Sequence, residues 1–291
     1  MGAPTALATV STACRWVASP PVIPLKDENP TLRRPVVTLA LIVACAGIYL
    51  FWQPTPLGTT DEDGRFAAER AAIPCEIVEG RPLTEQEVTA TGLDRPDACG
   101  IAGGDEPFVP EKSVWLSVLT SMFLHGSLLH LGGNLLFLWI FGNNIEDRLG
   151  PVRYLVFYVT AGVVATMAHV VLNLQSTIPM VGASGAIAGV MGAYLVWFPD
   201  APVRTLLTFF FIFIVRIRAK WVLGFWFVLQ FFTSPNSGVA WAAHVGGFAF
   251  GVLVGLLVRS SSGARRAVWS GHHRSTPLDR TGGVGYGWYE R

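Results

Sequence analysis

Charge is what this chain has least of. Only 14% of its 291 residues are Asp, Glu, Lys or Arg, against roughly 25% in an average soluble domain. Hydrophobic residues make up 51%, which excludes a disordered, solvated chain. No fixed short repeat runs through the 31 glycines, so a collagen-like fibre is excluded as well. The formal net charge is +1, leaving no whole-chain basic field to attract nucleic acid. Cysteine is limited to four residues, and no Cys/His cluster has ligand spacing, so no metal and no other cofactor is implied. Few charges gathered outside long apolar runs read as an all-α membrane protein.

A bilayer core about 30 Å thick needs about 20 apolar residues of helix. Candidate spans cover residues 35–52, 122–141, 152–174, 184–199 and 239–258. The first begins too far into the chain for a simple cleavable signal peptide. A further apolar run, 203–232, is interrupted by Arg216, Arg218 and Lys220. Its halves are each too short to cross. We therefore expect 205–215 to be interfacial or re-entrant and 221–232 to be the outer part of a fifth span. The three basic side chains would snorkel to the boundary. Six spans result, with both termini on one side. Of the 21 Lys and Arg residues, 16 fall on that side, and the other five share the loop 53–112 with 13 of the 20 acidic residues. The positive-inside rule makes the chain a multi-pass protein of the cell membrane with cytoplasmic termini. The parts are then a cytoplasmic segment 1–34, a membrane domain 35–258 with an extracytoplasmic loop 53–112, and a basic tail 259–291. Cys75 and Cys99 both fall in that loop, where a bridge and two free thiols are both compatible with the sequence.

Ionisable or strongly polar groups inside spans are costly unless paired, which makes each a functional suspect. They are His125, His130 and Asn134 in span two, His169 in span three, Ser184 heading span four and His244 in span six. At 1.5 Å per residue, Ser184 and His244 lie roughly 6–8 Å below the outer boundary. His130 and Asn134 share one helix face in the same outer half. A serine at a helix N-terminus has free backbone N–H groups beside it, suited to a developing oxyanion. His244 could take its proton. No Asp or Glu lies in the outer half of any span, so this would be a dyad and not a triad. The plainer alternative carries equal weight at this point. Gly185/Gly189, Gly247/Gly251 and Gly251/Gly255 are GxxxG pairs, and Ser184 and His244 could be polar glue between packed helices. His125 and His169 read as hydrogen-bonding interface residues, and His272 and His273 as solvated.

Four motifs then coincide: HLGGN (His130 to Asn134), GNNIEDRLG (with Gly142, Glu146 and Gly150), GASG (Gly182 to Gly185) and AHVGGFAFG (with Ala243, His244, Gly247 and Gly251). Together they resemble the rhomboid family of intramembrane serine proteases, over about residues 30–260. The resemblance implies a six-transmembrane-helix bundle that cleaves single-span or multi-span membrane protein substrates in or near their spans. Ser184 would be the nucleophile and His244 the base. Asn134, with His130 and the Ser184 N–H, would form the oxyanion hole, and Gly182 would keep the active-site loop tight. Glu146 and Arg148 would be structural, tying the cytoplasmic loop together, and the fifth span would gate lateral entry. Some relatives stack a tyrosine on the histidine; its position here is Ala188, so other packing, such as Trp241 or Phe248, must orient the ring. Loss of the serine or histidine would mark an inactive binding relative, and both are present. A proton relay or transporter would call for inverted repeats and a midplane acid, and the sequence has neither.

Overall fold

The computed structural model describes residues 22–54, 61–93, 95–101, 106–208, 212–233 and 240–260. Cys14, most of the expected segment 1–34, nearly all of the basic tail with His272 and His273, and the first residue of the last expected span lie outside the described residues. The elements run β1 (Val22–Asp27), α1 (Val36–Phe51), α2 (Asp61–Arg70), α3 (Pro74–Glu79), α4 (Glu85–Gly92), α5 (Val114–Thr120), α6 (Leu128–Phe137), α7 (Asn143–Leu149), α8 (Pro151–Leu172), α9 (Ser184–Trp197), β2 (Pro202–Thr208), β3 (Ile212–Arg218), α10 (Ala219–Gln230) and α11 (Trp241–Ser260).

A π turn, Leu138–Gly142, joins α6 to α7, so the second apolar stretch is one helix from Leu128 to Leu149. It starts later and ends later than hydropathy alone suggests. A single residue then separates it from α8. Gly150 supplies the positive φ of that corner (81°), and Pro151, with its preset φ, opens the next helix. Among the described residues, length and composition mark three helices able to cross a membrane: Leu128–Leu149, Pro151–Leu172 and Trp241–Val258. Val36–Phe51, Val114–Phe123 and Ser184–Trp197 are apolar but shorter. Exposed apolar side chains such as Leu39, Val43, Phe51, Val152, Val156, Leu253 and Leu257 clothe the outside, as a lipid-facing surface requires.

The expectation of an all-α chain is corrected by a three-stranded antiparallel sheet in the order β1-β2-β3. Residues 205–208 and 212–215, within the run expected to be interfacial or re-entrant, are extended strand. β2 and β3 pair antiparallel, with Pro202 opposite Arg218 and Thr208 opposite Ile212. The strands are rich in β-branched residues, which suit a pleated, half-buried surface. Val203 and Thr205 are buried while Arg204 between them is exposed, a period of two. β1 pairs with β2 from far away in sequence, Val22 opposite Leu207 and Asp27 opposite Val203, with an irregularity between Pro24 and Lys26. An edge strand tolerates that proline.

At the opposite end of the helices, α2 to α4 form a small outer piece with apolar contacts of its own. Ile73, Cys75 and Leu83 pack together, and Ala72 and Ile77 pack on Val114, Val118 and Val170 of the helices beneath. The loop 53–112 therefore has more core than its Gly/Pro-rich sequence suggests. Cys75 and Cys99 are disulfide-bonded, with Cα atoms 5.6 Å apart.

Candidate active site

Helices α9 and α11 pack against each other through glycine. A Cβ on Gly247 would collide with the Gly185 carbonyl, one on Gly251 with the Gly189 carbonyl, and one on Gly192 with the Phe248 carbonyl. Backbones can approach this closely only where side chains are absent. The Gly185–Gly247 rung is the last before the helix ends, and Ser184 and His244 stand just beyond it. The glycines set the spacing that brings the two polar residues together, so close packing does not exclude chemistry there. Ser184 Oγ lies 2.8 Å from His244 Nε2. Ser184 is the first residue of α9, where the initial backbone N–H groups have no partner within the helix.

Gly182 sits two residues earlier with φ 127°, a value that side chains rarely adopt. Its N–H donates to the Ser121 carbonyl at 2.9 Å. A Cβ there would press on the His130 ring, 2.8 Å from Cε1 and 2.9 Å from Nε2. His130 therefore borders the loop that carries Ser184. Asn134, one turn further along α6, is buried, and its Nδ2 has no hydrogen-bond partner among the described residues. His125 is fully buried; its backbone N–H and C=O pair with the Gln53 side chain at 3.0 and 2.6 Å, and its ring meets His130 edge-on at 5.3 Å. A cavity of about 30 Å³ adjoins Ser184, lined among others by Ser121, Thr166, Gly182 and Gly185.

The ring of His244 is held from α10. Its Nδ1 lies 2.7 Å from Gln230 Oε1, and Trp226 leans against it with centroids 5.7 Å apart. Trp241 and Phe248 were the expected supports. Phe248 instead packs on Trp226 and Phe227, and Trp241 on Phe231. Sequence reasoning missed Gln230. Its signal was an amide within an apolar aromatic run, 14 residues before His244.

Two further features hold the site. The stretch leading to Ser184 is stitched to the outer piece: Cys75 N–H donates to the Ser176 carbonyl, Thr177 N–H to the Pro96 carbonyl and Met180 N–H to the Ala72 carbonyl, at 2.7–2.9 Å. At the other end, the buried Glu146 carboxylate accepts from Val37 N–H (2.8 Å), Thr38 N–H (2.8 Å) and Thr38 Oγ–H (2.7 Å). It satisfies the orphan donors at the start of α1. Asp147 accepts from the Leu32 and Arg33 N–H groups that precede α1 (3.2 and 2.9 Å), and the Arg148 guanidinium lies 4.6 Å over the Trp197 ring.

Comparison with known proteins finds the Rhomboid domain family matching residues 112–261. The rhomboid protease GluP of Bacillus subtilis is 38% identical over 93 residues, which is 32% of this chain and 18% of that protein. The mitochondrial rhomboid protein 1 of Saccharomyces cerevisiae is 31% identical over 149 residues, 48% of this chain and 41% of that one. The mitochondrial presenilin-associated rhomboid-like protein of Homo sapiens is 30% identical over 142 residues, 46% and 36% of the two chains. The matched stretches cover less than half of each of these relatives.

Proposed function

The chain belongs to the rhomboid family of membrane proteins, and from that premise we propose that it is an intramembrane serine endopeptidase working through a Ser184–His244 dyad. The observation that carries this reading is the 2.8 Å contact between Ser184 Oγ and His244 Nε2 at the head of two glycine-packed helices. Ser184 Oγ attacks the scissile carbonyl while His244 Nε2 takes its proton. The developing oxyanion is met by the Ser184 N–H, the unpaired Asn134 Nδ2 and the His130 ring. His244 then protonates the leaving amine, and water releases the acyl group. The cavity beside Ser184 is large enough to hold a water.

The substrates are single-span or multi-span membrane proteins. A helical substrate hides its carbonyls in i→i+4 bonds, so the cut region unwinds before it reaches Ser184, and small or helix-breaking residues favour that. Within the proposed architecture α1, α6–α7, α8, α9, α10 and α11 are the six crossings. We place 35–258 in the cell membrane, the disulfide-bonded loop 53–112 outside, and 1–34 and 259–291 in the cytoplasm. The Lys/Arg bias and the oxidised Cys75–Cys99 pair support that orientation.

The test uses wild type and Ser184→Ala in proteoliposomes with a tagged single-span substrate bearing a small-residue cut region. Product from wild type alone is expected, and cleavage by the alanine variant would overturn the mechanism. A serine-reactive phosphonate on the same samples checks the nucleophile without a substrate. Labelling of wild type only is expected, and a wild type that neither cleaves nor labels is a binding protein on the same scaffold.

A further inference from the structure

Gln230 is a partner for the base that lies outside all four motifs. We propose that it is a positioning residue: it fixes the His244 tautomer with hydrogen on Nδ1, and, because it stands on α10, it makes the base competent only while α10 is seated. The inference rests on the dyad reading above and extends it.

Gln230 Nε2 lies 2.9 Å from the Trp226 carbonyl, which can only accept. That end of the amide must then be the NH2, and the end facing His244 must be the oxygen. Oε1 has no hydrogen to give, so His244 Nδ1, 2.7 Å away, must donate. A neutral imidazole carries one hydrogen, which leaves Nε2 bare and aimed at the Ser184 hydroxyl at 2.8 Å. A buried amide thereby does the orienting that a carboxylate does in a triad, without the charge that would stabilise the imidazolium. Gln230 is itself buried, 7% exposed, so water does not compete for Nδ1.

The helix that carries Gln230 is seated differently from the other two. Among the described residues no glycine rung of the α9–α11 kind ties α10 down: a Cβ on its Gly224 would meet nothing within 4 Å. It rests on α11 through rings, Trp226 and Phe227 on Phe248 and Phe231 on Trp241. Trp221, Phe225, Val228 and Phe231 remain exposed on its outer side. Displacing α10 would withdraw Gln230 and Trp226 from His244 together, while Ser184 and His244 stay on their glycine-locked pair. The titratable groups that face His244 are His130 on α6 and His169 on α8. α9 has no charged residue, and Lys220 and Arg259 lie at the far ends of α10 and α11.

The test has two readouts on the full chain. Nitrogen-15 shifts of labelled histidine, with His244 assigned by loss of its signal in His244→Ala, report the tautomer of the unaltered protein. Hydrogen on Nδ1 is expected, and hydrogen on Nε2 would overturn the proposal whether or not the protein cleaves anything. Phosphonate labelling against pH is then compared for Gln230→Met, which keeps the size and loses the acceptor, and Gln230→Glu. Labelling should fall roughly 10- to 100-fold in the methionine variant. The glutamate should restore it and move the acid limb upward by about half to one pH unit, because a carboxylate favours the imidazolium. A methionine variant that labels at the wild-type rate with the wild-type profile would reduce Gln230 to packing.

Discussion

Two small pieces at opposite ends of the helices solve the same problem differently. The outer piece, α2 to α4 with the strand-like stretches between them, has small apolar clusters and is held by specific links. These are the Cys75–Cys99 bond, a buried Lys112–Glu76 pair, and a Glu87 carboxylate that accepts from Arg81, Thr84 N–H and Gly100 N–H. The β1–β2–β3 sheet has no disulfide among the described residues. It is held by strand pairing and by Asp27, buried where β1 meets the helices, which accepts from Tyr194 (2.9 Å) and Asn144 (2.6 Å). Two buried carboxylates are thus pushed in opposite directions. Burial acts to raise both. For Glu87 it is outweighed by the Arg81 fork and two backbone donors, and the carboxyl is held down to about 2. For Asp27 the donors are neutral and burial prevails, lifting it to about 6. Glu87 has a charged partner in Arg81 that Asp27 lacks, and that difference in donors goes with the opposite shifts.

The largest effect should come from the disulfide. It closes a loop of 24 residues in sequence, and removing such a bond costs about 3 kcal/mol. Because Ala72, Cys75 and Pro96 hold the stretch from Ser176 to Met180, the Cys75→Ser/Cys99→Ser variant should lose hydrogen-exchange protection at Thr177 and Met180 and label Ser184 more slowly. Sheet amides should be unaffected. Equal loss at both ends would break the comparison by showing that the pieces are coupled. Next in size is the acid response of the outer piece. Glu87 is lowered from 4.5 to about 2, so its contribution is present above the unfolded value and is lost as pH falls from about 4.5 towards 2. Protection of the amides in α4 and at Gly100 should fade over that window in wild type. Glu87→Gln should be weaker at neutral pH and flat across it.

How much of this could be read beforehand follows from locality. The proposed dyad could be named from the sequence because each partner sits in a short motif, GASG and AHVGG, whose glycines also do the packing. Asn134 and His130 were legible as polar groups in an apolar run. Gln230 was not, because its partner is named only by the way α10 leans on α11, and an amide beside two phenylalanines reads as the edge of a span. The sheet was obscured for a different reason. The alternation Val203-Arg204-Thr205 and Arg216-Ile217-Arg218 was visible, but a mean hydropathy over 203–232 averages the period away, and β1 lies more than 170 residues from its partner. The larger cluster of the outer piece was hidden because most of its buried members, Val114, Val118 and Val170, belong to α5 and α8.

The smallest effect, and the sharpest contrast with Glu87, is expected at Asp27. Its value is raised from 3.8 to about 6, so the folded state holds the proton more tightly. The stabilising contribution is complete below about 3.8 and is lost as pH rises through about 6. Acidification from pH 7 to 5 should therefore strengthen the β1–β2 pairing, over a range in which the outer piece has not yet begun to weaken. Asn in place of Asp27 keeps an oxygen that can accept from both Tyr194 and Asn144 and has no charge to desolvate. In Asp27→Asn the protection of the Ile23 and Lys26 amides should be independent of pH and, at pH 8, at least as high as in wild type. If it is lower at pH 8, the ionised carboxylate is itself the favoured partner of Tyr194 and Asn144. The rule that neutral donors leave a buried carboxyl protonated would then fail at this end of the molecule.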